Sequence, residues 1–242
     1  MNKPLNALLL AAGFGTRLRP LTLTIPKCLV SINGNTLLNH WLSNLENLGV
    51  EKTLINTHYL HEKVEDFLAN RINTKMKIET TYELNILGTA GTLIANKSFF
   101  KSSTGLLIHA DNFTYVNLGD LVKAHYIRPK ECLITMLTFK TSNPNSCGIV
   151  ETDNNGVVTS YYEKVDHPPG DIANGAIYVF DLPFLEWLIT NHSNASDFST
   201  QILPKLIGRI YTWHTDKPYI DIGTPEALAK AELFTKKNLD VT

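Results

Sequence analysis

Leu5-Asn6-Ala7-Leu8-Leu9-Leu10-Ala11-Ala12-Gly13-Phe14-Gly15-Thr16-Arg17-Leu18-Arg19-Pro20-Leu21-Thr22-Leu23-Thr24-Ile25-Pro26-Lys27 is the stretch that decides the fold. Leu5 to Ala12 is an apolar run that reads as a buried strand, and it empties into a glycine-rich turn. Gly13 and Gly15 can take positive φ and carry no Cβ, so successive N–H groups can converge on an anion. Arg17, Arg19 and Lys27 add full positive charge. No Asp or Glu precedes Glu46, although the net charge of the whole chain is only -1. Positive charge is therefore segregated toward the turn.

Two common nucleotide loops are excluded here. The dinucleotide fingerprint G-x-G-x-x-G/A fails at Leu18, and Asn33 to Asn35, where its acidic ribose partner belongs, offers no carboxylate. The phosphate loop G-x-x-x-x-G-K-[ST] occurs nowhere. Residues 13–27 instead read G-x-G-T-R-L-x-P-L-T-x-x-x-P-K, which resembles the glycine-rich loop of the sugar-1-phosphate nucleotidylyltransferases, the enzymes that make NDP-sugars. Asn56-Thr57-His58-Tyr59, and Ser146-Cys147-Gly148-Ile149-Val150 with Asn174-Gly175, look most like the short single-domain mannose-1-phosphate guanylyltransferases and their heptose relatives. The resemblance implies an α/β, Rossmann-like three-layer nucleotidyltransferase (GT-A-like) fold with a mostly parallel central sheet and a small β-rich sugar-binding subregion. It also implies a single domain over 1–242, with an NTP-binding half at 1–130 and a sugar-phosphate-binding half with the C-terminal helix at 131–242.

Composition agrees with such a fold. With 242 residues, 43% of them hydrophobic, the chain can bury a full core. Cys28, Cys132 and Cys147 are odd in number and widely spaced, which suggests neither a disulfide framework nor a zinc site and fits a reducing cytoplasm. The N-terminal apolar run is too short for a membrane span and has no cleavage site after it, so no membrane partner is expected. Near-neutral charge argues against a nucleic-acid surface. At 242 residues, the left-handed β-helix that longer members of the resembled family append, with any function housed there, is not expected. Oligomeric state is not legible.

Periodicity supplies the elements. Leu37, Leu38, Trp41, Leu42, Leu45 and Leu48 fall at helical spacing before Gly49, a helix-stop signal. Strands are expected at Lys52 to Thr57, Lys77 to Tyr82 and Gly105 to Ala110, with helices around Val64 to Leu68 and Thr89 to Asn96. Such alternation predicts a parallel sheet. Further on, Glu131 to Phe139, Gly148 to Glu151, Val157 to Lys164 and Ala173 to Phe180 read as strands, with Asn154-Asn155-Gly156 turning a hairpin. Helices are expected at Pro183 to Ile189, at Thr200 to Ile207, and from Thr224-Pro225 onward, a cap followed by proline at the first helical position.

Four later clusters carry chemistry. Asp111 ends the apolar strand Leu106-Leu107-Ile108-His109-Ala110, the edge of an open α/β sheet where ligands collect. A carboxylate there suits Mg²⁺, which takes one or two carboxylates plus phosphate oxygens and water. Asp221, before Ile222-Gly223-Thr224-Pro225, is the candidate second acid, and by itself reads equally as a charge at the start of the final helix. In the resembled family, acids at these two positions hold Mg²⁺ together. That family often has Gly-Asp at the first, where this chain has Ala110-Asp111.

Glu163-Lys164 alone would be a solvated strand edge; the resemblance makes Glu163, Gly148 and Asn174 contacts to the sugar, and Lys164 a holder of its phosphate. Leu87-Gly88-Thr89-Ala90-Gly91 is a second glycine-rich helix start, with Thr89 near the cap as the plain alternative. The resemblance implies that Glu83, Gly88 and Thr89, with Leu10, Ala12, Gly13, Gly15, Thr16 and Arg17, contact the nucleotide.

The implied reaction is attack of a sugar 1-phosphate oxygen on the α-phosphorus of an NTP, with Arg17, Lys27, Asp111 and Lys164 as the catalytic set and Mg²⁺ on Asp111 and Asp221. GTP with mannose 1-phosphate or a related hexose or heptose 1-phosphate is the expected pair. UTP, dTTP or CTP is the alternative, and a catalytically inactive nucleotide or sugar-phosphate sensor is an alternative of another class. A sugar transferase would show D-x-D, whereas Ala110-Asp111-Asn112-Phe113 stands here.

Overall fold

A computed structural model describes residues 3–71 and 74–239. In chain order its strands and helices are β1 (Leu5–Leu10), β2 (Ser31–Ile32), β3 (Asn35–Thr36), α1 (Leu37–Leu48), β4 (Lys52–Thr57), α2 (His61–Ala69), β5 (Lys77–Tyr82), α3 (Gly88–Ala95), β6 (Thr104–His109) and β7 (Asn112–Thr114). There follow α4 (Leu118–Tyr126), β8 (Ile134–Lys140), β9 (Gly148–Thr152), β10 (Val158–Glu163), β11 (Ile172–Phe180), α5 (Leu182–His192), β12 (Ile210–Thr215), β13 (Tyr219–Asp221) and α6 (Pro225–Leu239). This is the expected α/β architecture, a mostly parallel central sheet with flanking helices. No helix among the described residues is long and apolar enough to cross a membrane.

The chain divides into two compact units. The first comprises Met1–Leu8, Leu87–Ile108 and Val116–Lys217, and the second Leu9–Ile86, His109–Tyr115 and Pro218–Thr242. In the first, β11 is the hub, running antiparallel to β6, β8 and β9, while β12 pairs parallel with β8. Its two-face burial explains the near-continuous apolar run Ala176-Ile177-Tyr178-Val179-Phe180. The β11 register against β8 shifts between Asn174 and Tyr178, and Ala176 inside that bulge has φ +50°. Such a bulge re-aims the side chains around it. The hairpin β9–β10 sets Glu163 opposite Gly148. Its turn is held by Asp153, whose Oδ1 accepts from the N–H groups of Asn155 and Val157 at 2.9 Å each, with Gly156 at φ +77°.

In the second unit β4 and β5 pair parallel, and α1 buries Leu37, Leu38, Trp41, Leu42 and Leu45. Thr36 caps α1 by accepting from Asn39 N–H at 3.1 Å, and Gly49 closes it at φ +81°. β7 and β13 form a short antiparallel ladder that sets Asp221 opposite Asn112. Phe113, Ile220 and Ile222 anchor that ladder in a core with Leu18, Val30, Ile32, Leu37 and Ala231.

Differences from the sequence expectation are local. The helix expected over Thr200 to Ile207 is a π turn at Phe198–Ile202 followed by a 3₁₀ turn at Leu203–Lys205. Pro204 lacks an N–H and interrupts any longer helix. Helix α4 and strands β2, β3, β7, β12 and β13 were not expected.

Candidate functional site

On the second unit, β1 ends at Leu10, whose carbonyl accepts from Ala110 N–H at 3.1 Å. The turn that follows uses Gly15, at φ +62°, where an added Cβ would lie 3.0 Å from Thr22 Cγ2 and 3.1 Å from Lys27 Cβ. Thr22 locks the turn by donating to Gly15 O at 2.7 Å. Gly13 keeps an ordinary φ and has open space around it. Thr16 and Arg17 then lie in a single 3₁₀ turn, Thr16–Leu18.

Lys27 is buried, and its Nζ lies 2.6 Å from Asp111 Oδ2 and 3.4 Å from Asp221 Oδ1. Arg17 Nη2 lies 3.6 Å from Asp221 Oδ2. The β7–β13 ladder makes this convergence: Asp111 precedes β7, Asp221 ends β13, and Ile222 N–H donates to Asp111 O at 3.0 Å. Trp41 Nε1–H fixes the ladder from α1 by donating to Asn112 O at 2.8 Å. Burial pushes the Asp111 carboxyl up, but the charge and hydrogen bond of Lys27, with the charge of His109, hold it below the usual carboxylate range. The cap of α6 is Thr224, whose Oγ1 accepts from Ala227 N–H at 3.3 Å, so Asp221 is not spent on that task.

Glu83 is buried in the same unit, 4% exposed. Asn56 Nδ2 donates to its Oε1 at 3.0 Å, while Asn56 Oδ1 accepts from Ala11 N–H at 2.7 Å. His58 Nδ1–H donates to Glu83 O at 2.7 Å. Asn56 thus ties the end of β1 to Glu83. Gly223 is another residue the sequence reading did not single out: a Cβ there would stand 2.7 Å from Arg17 Nη2, so the glycine makes room for the guanidinium.

The first unit holds the remaining candidates in two groups. Glu163 Oε2 accepts from Tyr161 Oη, and Lys164 Nζ lies 3.5 Å from Glu163 Oε1. Lys164 is exposed and sits at φ +50°. A Cβ on Gly148 would collide with Tyr161 Oη and lie 2.6 Å from Glu163 Oε2. Asn174 Nδ2 donates to Tyr178 Oη at 2.7 Å, and its Oδ1 accepts from Ala176 N–H at 2.9 Å. The second group is the start of α3. Thr89 is not its cap; Thr89 Oγ1 accepts from Phe198 N–H at 2.7 Å. Ala90 and Gly91 N–H donate to Ser196 O at 2.9 and 3.3 Å. Gly88 has φ +79°, and any Cβ on it would meet the Ser196 carbonyl.

Two carboxylates converging on one ammonium are a donor set that fits a hard divalent cation, which Mg²⁺ completes with phosphate and water oxygens. Among the described residues, no three His, Cys, Asp or Glu side chains gather to hold a metal ion.

The sequence pattern that defines the family described as nucleotidyl transferase matches residues 6–238. The chain is 28% identical over 225 residues to the mannose-1-phosphate guanylyltransferase of Mycobacterium tuberculosis, covering 91% of this chain and 62% of that protein. It is also 28% identical over 237 residues to the UTP–glucose-1-phosphate uridylyltransferase of Synechocystis sp., covering 90% and 60%. It thus spans about three fifths of the length of these relatives. The crystal structure of HddC from Yersinia pseudotuberculosis complexed with GMP-PN shares the fold, with a TM-score of 0.79 at 23% identity over 95% of this chain and 99% of that one. The chain belongs to the nucleotidyl transferase family.

Proposed function

We propose that this member of the family is a sugar-1-phosphate nucleotidylyltransferase, joining an NTP to a sugar 1-phosphate with release of pyrophosphate. The observation that carries the reading is the convergence of Asp111 and Asp221 on Lys27, beside Arg17 and the Gly15 turn. Two acids and two bases within one group of contacts suit a reaction whose demands are positioning and charge neutralisation. GTP with mannose 1-phosphate, or a related hexose or heptose 1-phosphate, is the favoured pair. UTP is the alternative, supported by the Synechocystis relative.

In the proposed reaction, an oxygen of the sugar 1-phosphate forms a bond to the α-phosphorus of the NTP. The bond from that phosphorus to the oxygen bridging toward the β-phosphate breaks, and pyrophosphate leaves with that electron pair. The attacking phosphate is already ionised, so no side chain needs to accept a proton. Arg17 would hold the departing pyrophosphate, and Lys27 would pair with the phosphates from its buried position. Lys164 would take the incoming sugar phosphate, with Glu163 and Asn174 at the sugar hydroxyls and Gly148 beside them. Leu10, Ala12, Gly13, Gly15, Thr16, Glu83, Gly88 and Thr89 would contact the nucleotide. Asp111 and Asp221 would hold Mg²⁺, which when bound neutralises phosphate charge as a Lewis acid; dependence on Mg²⁺ is general in the family.

The test is pyrophosphate release across GTP, ATP, UTP, CTP and dTTP, each with mannose, glucose, galactose, heptose and amino-sugar 1-phosphates. GTP with mannose or heptose 1-phosphate is expected to give the highest kcat/KM. Silence across the matrix, with folded protein and Mg²⁺ supplied, would overturn the enzymatic reading in favour of a sensor.

A further inference from the structure

Glu163 is oriented from inside the first unit. Its Oε2 accepts from the Tyr161 hydroxyl, two residues earlier on the same strand and so on the same face of β10. Its Oε1 is turned the other way, toward exposed Lys164. On β11, Tyr178 accepts from Asn174 Nδ2 at 2.7 Å. Tyr178 is fully buried, with its ring 4.7 Å from that of Phe198. Tyr161 and Tyr178 thus each hold one of the two side chains proposed for the sugar hydroxyls, Glu163 and Asn174.

Three further observations concern these pairs. Gly148 lies where any side chain would displace both Tyr161 Oη and Glu163 Oε2, so the glycine is required by the pair itself. Asn174 is fixed at both ends, Nδ2 by Tyr178 and Oδ1 by Ala176 N–H inside the β11 bulge. Burial, reinforced by Tyr178 and Glu163, raises the Tyr161 phenol well above its ordinary value, so it remains a neutral donor.

We propose that Tyr161 is a positioning residue that sets the orientation of the Glu163 carboxylate, so that Glu163, like the separately fixed Asn174, reads the hydroxyl pattern of the sugar from a rigid position. An ionised carboxylate only accepts hydrogen bonds, so its aim decides which hydroxyls it can serve. Rigid placement is what separates epimers that differ in the direction of one hydroxyl, because a misdirected hydroxyl leaves a buried polar group unpaired. The inference rests on the function proposed above and deepens it.

The experiment compares wild type, Tyr161→Phe, Glu163→Ala and the double variant by pyrophosphate release, with KM measured separately for the NTP and the sugar 1-phosphate. Tyr161→Phe removes one oxygen and keeps the ring; melting temperatures establish that each variant is folded. The expected result is a KM for the sugar 1-phosphate raised about tenfold, the cost of losing one buried hydrogen bond to a charged group. The KM for the NTP should stay within about twofold of wild type, and discrimination between mannose and glucose 1-phosphates should shrink. In the Glu163→Ala background the Tyr161 substitution should change sugar-phosphate KM by less than about twofold, because the two residues act as one. Additive losses in the double variant, or a Tyr161→Phe enzyme indistinguishable from wild type, would overturn the inference alone. A folded wild-type protein that releases no pyrophosphate from any pair would overturn the functional reading and this inference with it. Gly148→Ala is the second route to the same loss, by steric eviction of the pair.

Discussion

Lys27 Nζ lies 2.6 Å from Asp111 Oδ2, and the lysine is one of the few buried charged side chains of the described residues. A buried ammonium needs a paired anion, and here it has two, since Asp221 Oδ1 is 3.4 Å away. In the proposed reaction this pairing aims both acids at one point, and it holds the Asp111 carboxyl below the usual carboxylate range. Asp111→Ala is therefore expected to lower turnover at least about a hundredfold, by analogy with the loss of one preorganised transition-state contact worth about 3 kcal/mol. Arg17→Ala should do the same. Folding should survive, because Arg17 is largely exposed and the Asp111 side chain is 37% exposed. Steady-state kinetics beside a melting curve checks this, and a variant near the wild-type rate removes that residue from the mechanism.

Gly223 gives a test that touches Arg17 without removing it. A methyl group at position 223 would stand 2.7 Å from Arg17 Nη2, the far end of a flexible side chain. The guanidinium can swing away, so Gly223→Ala, although the glycine is buried, should leave the melting temperature within about 2 °C of wild type, the shift of a change worth about 0.5 kcal/mol. Turnover should nevertheless fall about tenfold or more, since misplacing a contact group by about an ångström is itself expensive in rate. Equal loss of stability and rate would mean that Gly223 serves only the fold.

The large elements were legible because they repeat. Leu37 to Leu48 shows helical spacing and a glycine stop, and the structure has α1 over those residues with Gly49 in the left-handed region. β4 and β5 coincide with the expected strands. α4 was within reach too, since Leu118, Leu121 and Val122 fall at helical spacing behind the Asn117 cap, whose Oδ1 accepts from Gly119 N–H. β7 and β13, at three residues each, are too short for any period to register, yet their pairing is what brings Asp111 and Asp221 to Lys27. Likewise, the sequence displays Gly88-Thr89-Ala90-Gly91 as a helix start, but only the fold delivers Ser196 and Phe198 to its hydrogen-bonding groups.

That attachment at α3 predicts a stability effect. Gly88 has φ +79° and faces the Ser196 carbonyl, a backbone group that cannot rotate out of the way. Gly88→Ala combines left-handed strain with a clash, for about 2 kcal/mol or more of destabilisation. It should also loosen the hydrogen bonds from Ala90 and Gly91 to Ser196. Chemical denaturation is the check; a variant within about 0.5 kcal/mol of wild type would show that the segment at Ser196 adjusts freely.

Acid should destabilise the protein in two stages, both arising in the first unit. His125 is fully buried, with Nε2 3.2 Å from Asp181 Oδ2 and Nδ1 2.9 Å from Thr135 Oγ1. Burial lowers its pKa and outweighs the raising effect of Asp181. The unfolded imidazole takes up its proton near pH ~6.5, the folded one only lower. Between those values the unfolded state binds more protons, so stability falls as pH drops below about 6.5. Asp181 acts lower on the scale. Burial pushes its carboxyl up, but hydrogen bonds from His125 and Thr104 and the charges of His125 and Arg128 hold it far below the usual range. Its contribution is complete above the unfolded value of about 3.9 and is lost as pH falls from there toward the folded value. Melting temperatures should therefore be level above about pH 7, decline through about pH 6, and decline again below about pH 4. His125→Gln should be less stable at neutral pH, through loss of the ring's packing, but should show a shallower first decline. A variant keeping the full wild-type slope through pH 6 would assign that decline to other histidines, of which His40, its pKa also lowered by burial, is the first to examine.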